Sequence, residues 1–330
     1  MELVRVPKAE LHLHVEGTLE PEMVFELARR NAVPLPWDSV AELRGRYQFT
    51  SLQSFLDLYY QCMTVLRTQE DFAQLAWAYY QRAAADGVAH AELFFDPQVH
   101  VRNGVPLAEV IAGLTEAASR AALELGITGG LIMCFLRDLG ADAAAELLAA
   151  AEPYLGQLLG VGLDSAEVGH PPSEFIAVFA RARELGLHVV AHAGEEGEPD
   201  YVWQALDLLH AERIDHGIRS VEDGTLLAAL AARQIPLTLC PLSNVRLQAV
   251  DTLAAHPLPA LLDAGVLVSV NSDDPAYFGG YLGANFAAVT AEFGLDDAQL
   301  LQLCRNSVTA SFATAERKTE LLALINEEAT

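Results

Sequence analysis

The chain has 330 residues, and 52% of them are apolar, which is enough to bury a large core and argues against disorder. It carries 45 acidic and 20 basic side chains, and a net charge of −25 repels phosphate backbones and anionic membrane surfaces. It has neither a signal-peptide core at its start nor an apolar stretch of the roughly 18 residues that a membrane span needs. We therefore expect a cytoplasmic protein that binds neither nucleic acid nor membranes, and the sequence leaves its oligomeric state open.

The four cysteines are spread far apart and form no CxxC pair; they are Cys62, Cys134, Cys240 and Cys304. Neither a disulfide framework nor a thiolate zinc site is predicted from such spacing, and a reducing compartment fits it.

Short β-like runs alternate along the chain with helical patterns, which is typical of βαβ units and a parallel sheet. The runs cover residues 10–15, 89–95, 130–136, 160–164, 188–192, 213–216, 236–240 and 266–271. A count of eight favours a closed α/β barrel, the (β/α)₈ TIM barrel, over an open doubly wound sheet. No linker-like segment interrupts the pattern, so we expect residues 1–330 to form a single domain.

A long segment, about 18–88, separates the first two runs, and it has helical periodicity over residues 21–31, 52–66 and 69–86. We predict that it is a helical insertion capping the barrel mouth. Segments 108–125 and 141–151 are rich in good helix formers and are predicted to belong to the outer ring of helices.

Polar residues recur at or just after the C-terminal ends of the predicted strands, where barrel enzymes build their active sites. They are His12, His14, His192, Glu195, His216, Asp273 and Asp274. Side chains two apart in a strand point the same way, so His12 and His14 can both reach the barrel axis.

Barrel closure would bring His12 and His14 together with His192 and Asp273, and three histidines with one aspartate suit zinc. The His-x-His pair alone is equally compatible with a buried hydrogen-bonded pair or a different metal site. Likewise, the two aspartates before Pro275 could alone be a turn. The agreement of several strand ends favours one metal centre.

Five motifs, in this order along nearly the whole chain, resemble those of the adenosine and adenine deaminase family. They are residues 7–17 (PKAELHLHVEG), 192–195 (HAGE), 213–217 (RIDHG), 240–244 (CPLSN) and 272–275 (SDDP). The resemblance implies a zinc-dependent barrel that removes the 6-amino group of a small purine, in agreement with the strand pattern.

The resemblance also implies roles for individual residues. His12, His14, His192 and Asp273 would hold one Zn²⁺ per subunit, and a water molecule would complete a five-coordinate shell. Zinc lowers the pKa of such a water to about 7.

The remaining motif residues are expected to act on the substrate. Glu195 would donate a proton to purine N1, which requires a pKa raised by burial. His216 would orient the attacking water as a general base, and Asp274 would bind N7.

The choice between adenine and adenosine depends on the pocket for the N9 substituent. Glu16 stands where adenosine deaminases resemble one another in having a ribose-binding Asp, and its longer side chain would crowd that space. Segments 92–98 and 164–172 resemble the adenine deaminase branch, so Ser165 and Glu167 are also expected to bind substrate. Adenine is therefore the expected substrate, with adenosine or another N9-substituted adenine as the alternative.

Two further alternatives are weaker. A binuclear amidohydrolase would usually need a bridging carboxylated lysine, and no lysine lies in the predicted strands; a non-catalytic barrel should have lost a ligand or Glu195. Among residues outside the predicted site, Asp215 is expected to face away from His216 as a solvated or salt-bridged neighbour. His170 is a candidate pocket residue, and His188 lies at the opposite end of its strand.

Overall fold

The computed structural model describes residues 2–328, and within that range eight parallel strands form one sheet in the order β1 to β8. They are β1 Lys8–His14, β2 Val88–Phe95, β3 Thr128–Leu136, β4 Leu158–Asp164, β5 His188–Ala193, β6 Arg213–His216, β7 Leu237–Leu239 and β8 Val268–Val270. A parallel bridge between Leu13 and Asp273 joins the last strand's exit to the first strand. The predicted (β/α)₈ barrel is confirmed.

The strands lie where the hydrophobic runs predicted them, with small differences at the ends. All seven residues of β1 are buried, as expected for a parallel sheet covered on both faces. This strand begins at Lys8, so a lysine does lie in a strand, contrary to the sequence interpretation. Its Nζ donates to the carbonyls of Leu3, Val6 and Asp86 at 2.8–2.9 Å, at the end of the strand away from the site residues.

Helices follow the strands and also fill the segment between β1 and β2. They are α1 Pro21–Arg30, α2 Val40–Gly45, α3 Leu52–Met63, α4 Gln69–Ala85, α5 Pro97–Arg102, α6 Leu107–Glu124, α7 Gly140–Ala151, α8 Ile176–Glu184, α9 Pro199–Gln204, α10 Gly224–Arg233, α11 Pro241–Arg246, α12 Leu258–Asp263, α13 Pro275–Phe278, α14 Leu282–Phe293, α15 Asp297–Ala310 and α16 Ala315–Glu328. None of the helices in the described range is long and apolar enough to cross a membrane.

The segment between β1 and β2 contains the three predicted helices and one more. Helices α3 and α4 each begin with a capping box, in which Ser51 and Thr68 accept from the backbone three residues on. The additional helix, α2, has only six residues, which is too short for a periodic hydrophobic pattern to reveal it.

A buried ion pair ties β2 to β6 inside the barrel. The Arg213 guanidinium donates to Glu92 at 2.6 Å and to the carbonyl of Leu11 at 3.1 Å, and both charged residues are fully buried. His90 lies 3.1 Å from the same carboxylate. Burial alone would raise the pKa of Glu92, but attraction by Arg213 and the His90 hydrogen bond outweigh it and lower the pKa to about 2.

The substitution Glu92→Gln is expected to lower the free energy of unfolding by about 3–5 kcal/mol at pH 7, because Arg213 would be left as an unpaired buried charge. Since folding depresses the Glu92 pKa, this stabilisation is complete above the unfolded pKa of about 4.3 and is lost as the pH falls towards 2. Urea denaturation at several pH values measures both effects. The exposed pair of Arg44 and Glu22 provides the control, since Glu22→Gln should leave the unfolding curve nearly unchanged. An equally small effect of Glu92→Gln would contradict the prediction.

Candidate active site

Four side chains converge at the C-terminal end of the barrel with the geometry of a metal site. His12 and His14 come from β1, His192 from β5, and Asp273 follows β8. One ligand atom of each lies within 4.8 Å of all the others. The Nε2 atoms of His14 and His192 are 3.2 Å apart, close to the spacing of two nitrogens about 2.0 Å from one tetrahedral ion.

The donor set fits a divalent transition metal. Asp273 Oδ1 lies 3.2 Å from His12 Nε2 and 3.6 Å from His14 Nε2. His12 is fully buried, and within residues 2–328 its Nε2 makes no hydrogen bond of good geometry. This nitrogen faces the Asp273 carboxylate, as two ligands of one ion would. Imidazole nitrogens and carboxylate oxygens are both zinc ligands, and four of them are one more than the three protein ligands usual at a catalytic zinc.

Two residues that contact the histidines from behind, Thr238 and Asp215, orient the imidazole rings. The sequence analysis did not predict this role for either residue. Thr238 on β7 donates to Asp215 at 2.8 Å, so its oxygen can accept from His12 Nδ1 at 2.9 Å and leave Nε2 for a metal. Asp215 also lies 3.7 Å from His192 Nδ1. Asp215 is completely buried and lies 3.8 Å from Arg213 Nε, so it is salt-bridged, as one of the two alternatives expected. The expectation that it faces away from the site is corrected.

Left-handed backbone at two positions explains why adjacent residues both reach the site. His216 has φ 60° and Asp273 has φ 64°, so the usual alternation of side chains in a strand is interrupted there. Asp215 and His216 therefore both face the centre, as do Asp273 and Asp274. Such conformations cost non-glycine residues about 1–3 kcal/mol and are found mainly at functional sites.

A chain of hydrogen bonds leads from the backbone to His216 and Glu195. The Leu258 amide donates to His256 Nδ1 at 3.1 Å, so His256 Nε2 carries the proton and donates to Asn244 Oδ1 at 3.2 Å. The Asn244 amide nitrogen can then donate to both Glu195 Oε1 at 3.0 Å and His216 Nδ1 at 3.2 Å. A neutral His216 whose Nδ1 accepts must carry its proton on Nε2.

His216 and Glu195 have strongly perturbed acidities. The Nε2 atom of His216 lies 3.5 Å from Glu195 and 3.7 Å from Asp273. Burial, helped by the charge of His12, holds the pKa of His216 well below its usual range. Burial and the charge of Asp273 hold the pKa of Glu195 well above its ordinary value, so a protonated, proton-donating Glu195 is favoured.

Glu167 does not line the central cavity, although it was expected to bind substrate. Its carboxylate instead accepts four backbone amides of the loop after β5, those of Gly194, Glu195, Glu196 and Gly197, at 2.7–3.1 Å. A carboxylate with several amide donors is strongly held. Glu167 therefore fixes the loop that carries Glu195, and the sequence could not reveal it because the partners are backbone groups.

Glu16 also lies outside the lining of the cavity. Its side chain is fully buried and accepts from the Asp96 amide at 3.0 Å, with His100 Nε2 at 2.8 Å. Both partners follow β2, so Glu16 joins the exits of β1 and β2. The structure therefore gives Glu16 no position from which to crowd a ribose directly.

A cavity with about 400 Å³ of empty space lies above the metal ligands. Ser165 lines it, as predicted, and pairs with the Tyr60 hydroxyl at 2.9 Å, whereas His170 is not part of the lining. The roof comes mainly from α3 and consists of Leu52, Phe55, Leu56, Tyr59 and Tyr60, with Leu247. The inserted helices thus cover the mouth of the barrel. His188 lies elsewhere, stacked on Phe312 and paired with Glu212.

Asp274 is set into the cavity wall against Gly17. It is buried, it lines the cavity, and its Oδ1 atom has no hydrogen-bond partner among the described residues. A side chain at Gly17 would lie 2.6 Å from the Cα of Asp274, so only glycine allows this approach. Two further cavity acids, Asp96 and Asp164, were not predicted as site residues. Burial raises the pKa of Asp164 to about 7.

Comparison with known proteins gives consistent matches over almost the full length. The family model described as adenosine deaminase matches residues 7–328. An adenine deaminase of Streptomyces coelicolor is 59% identical, with 94% of this chain and 91% of the relative covered. One of Rhodospirillum rubrum is 56% identical, with 97% of both chains covered.

Solved structures agree with these matches. The crystal structure of an adenine deaminase from Arthrobacter aurescens superposes with a TM-score of 0.97 at 51% identity, covering 98% of this chain and 99% of that one. A zinc-bound amidohydrolase from Burkholderia ambifaria has a TM-score of 0.91 at 28% identity, covering 99% and 91%.

The barrel and its histidine and aspartate centre define a metal-binding hydrolase of the amidohydrolase kind. Within that class, the match over residues 7–328 and the identities of the relatives place the chain more narrowly. The chain belongs to the adenosine deaminase family.

The hydrogen-bond chain predicts that His256 controls His216 from a distance. His256→Asn shortens the side chain, releases Asn244 to rotate, and is expected to lower kcat at least about tenfold with little change in KM, because substrate contacts stay in place. The ¹⁵N spectrum of His216 should lose its single Nε2-protonated form. His210→Asn replaces an exposed histidine and is the matched control. An unchanged spectrum and kcat in His256→Asn would refute this arrangement.

Proposed function

We propose that this chain is a zinc-dependent deaminase that converts adenine and water to hypoxanthine and ammonia. The observation that carries the proposal is a buried acid, Glu195, placed beside a metal-binding cluster in a cavity roofed by α3. Relatives at 56–59% identity that are called adenine deaminases support adenine as the substrate.

His12, His14, His192 and Asp273 would hold the zinc ion. Bound there, zinc would supply Lewis-acid activation of water at neutral pH. The zinc-bound relative from Burkholderia ambifaria supports this choice of metal. The two four-residue groups that could hold a metal share His12 and Asp273, which supports one ion per chain at this centre.

The substrate would lie with C6 towards the cluster and with N1 and N7 on either side. Protonated Glu195 donates its proton to N1, which makes C6 more electrophilic as water attacks. The proton on His216 Nε2 donates a hydrogen bond towards the attacking oxygen, and Asp274 binds N7. His216 then acts through hydrogen bonding, since Asn244 already occupies its Nδ1.

Proton balance requires Glu195 to act more than once. Its proton goes to N1 as the C6–O bond forms, and the carboxylate can then accept a proton from the attacking water and pass it to the leaving amine. Ammonia departs as the C6–N bond breaks, the remaining proton of the C6 hydroxyl returns to the Glu195 carboxylate, and a 6-oxopurine is left. The Glu167 cradle and the Asn244 hydrogen bond hold the Glu195 side chain in place for these transfers.

The first test compares ammonia release from adenine and from adenosine with the zinc-loaded protein. We expect kcat/KM to favour adenine by at least about 100-fold, because the cavity is roofed by α3 and walled by buried acids. A preference for adenosine would contradict the proposed substrate but keep the deaminase chemistry. Release from neither would contradict both.

Glu195→Gln is expected to retain zinc and lose about 10²–10⁴-fold in kcat, because glutamine cannot exchange a proton with N1. Metal content per chain and ammonia release measure the two properties separately. Glu198→Gln, three residues on and exposed, serves as the control and should keep full activity. Full activity in Glu195→Gln would remove this residue from the mechanism.

A further inference from the structure

Two carboxyl groups in the cavity wall have no role in the mechanism above. Asp96 follows β2, Asp164 ends β4, and each residue is 2% exposed. Their side chains hydrogen-bond to each other and line the cavity. The Oδ1 atom of each has no partner among the described residues. Buried carboxyl oxygens without partners are rare in folded proteins, so this pair requires an explanation.

A separate observation on the roof points to the same part of the cavity. Tyr59, on α3, is 2% exposed, and its hydroxyl likewise has no partner within residues 2–328. It lines the cavity, and burial, followed by the charges of Asp274 and Asp96, raises the pKa of its hydroxyl well above the ordinary value. Polar residues from three different elements therefore line the same cavity with unpartnered atoms, as expected where a polar ligand binds.

The acid pair lies on the Asp274 side of the cavity. Besides burial, which is the largest effect, Asp164, Glu16 and Asp274 raise the pKa of Asp96. Glu16, which accepts from the Asp96 amide, is followed in the chain by Gly17, which packs against Asp274. If Asp274 binds N7 and Glu195 binds N1, the wall beyond Asp274 follows the five-membered ring. In free adenine, the one N–H group on that edge is at N9.

We propose that Asp96 and Asp164 form a specificity site that accepts the N9–H of the base, so that purines substituted at N9 are rejected. This inference rests on the proposed function and assigns to the acid pair the discrimination that the sequence had suggested for Glu16. A substituent at N9 would both remove the hydrogen-bond donor and place its first atom against the carboxylates. Sites built to hydrogen-bond a substrate group discriminate strongly against analogues that lack it.

Comparison of adenine with 9-methyladenine tests the site, because the methyl group is small and removes only the N9–H. In the unaltered enzyme, kcat/KM should be at least about 100-fold higher for adenine than for 9-methyladenine. Asp96→Ala should lower the adenine value by about 10–100-fold, since a buried hydrogen bond to the substrate is lost and N9–H is left without an acceptor. The 9-methyladenine value should be unchanged or higher, because the smaller side chain makes room for the methyl group. The ratio of the two values should fall at least tenfold.

Two further variants complete the design. Asp96→Asn keeps the size of the side chain, covers the case in which Asp96→Ala does not fold, and should shift the ratio in the same direction. Asp57→Ala changes an exposed aspartate on α3 and should leave both substrates unaffected. Zinc content is measured for every variant, because His14, Asp96 and Asp164 could also surround a cation.

The outcomes separate this inference from the proposed function. A fallen ratio with one zinc per chain supports the specificity site. Equal losses for both substrates, or a second zinc that Asp96→Asn removes, would overturn it while adenine deamination stands. Failure of the unaltered zinc enzyme to release ammonia from adenine would overturn the proposed function, and the inference with it.

Discussion

Pairing between the backbone of Asp273 and strand β1 is the constraint on which the site depends. The amide of Asp273 donates to the carbonyl of His12 at 3.1 Å, and the amide of His14 donates to the carbonyl of Asp273 at 3.0 Å. These bonds close the barrel, and they bring the carboxylate of Asp273 to the two histidines of β1. Barrel closure and assembly of the metal cluster are therefore the same event, so errors in strand register would also destroy the site.

The same region shows how a rigid scaffold places many side chains around one point. Left-handed backbone at His216 and Asp273 turns consecutive residues inwards, which a regular strand could not do. Each conformation costs free energy, and the buried strands on both sides supply the packing that maintains it. Glu167 then fixes the next loop through four amides, so Glu195 is held by backbone contacts as well as by Asn244.

The barrel and the metal ligands could be predicted because each depends on local sequence. Strand runs are continuous and apolar, and a ligand at a strand end is expected to face the centre. The roles of Glu16 and Glu167 could not be predicted, because their partners are an amide after β2, His100 and the loop after β5. The prediction that Asp215 faces away from the site failed for a different reason. It assumed that side chains alternate between the two faces of the strand up to and including His216.

The chain has a net charge of −25, yet only a few of its acids face the cavity. The buried acids differ in how many hydrogen-bond donors the protein gives them. Buried acids with protein donors are held in place by them: Glu167 accepts from four backbone amides, and Glu92 accepts from Arg213. Acids that face the cavity have fewer donors, and burial raises the pKa of Glu195 and Asp96 well above their ordinary values. Such groups favour a ligand that brings both N–H donors and ring nitrogens that accept protons, and a purine base has both. The distribution of hydrogen-bond donors within the protein thus determines which carboxyl groups are structural and which remain available to a substrate.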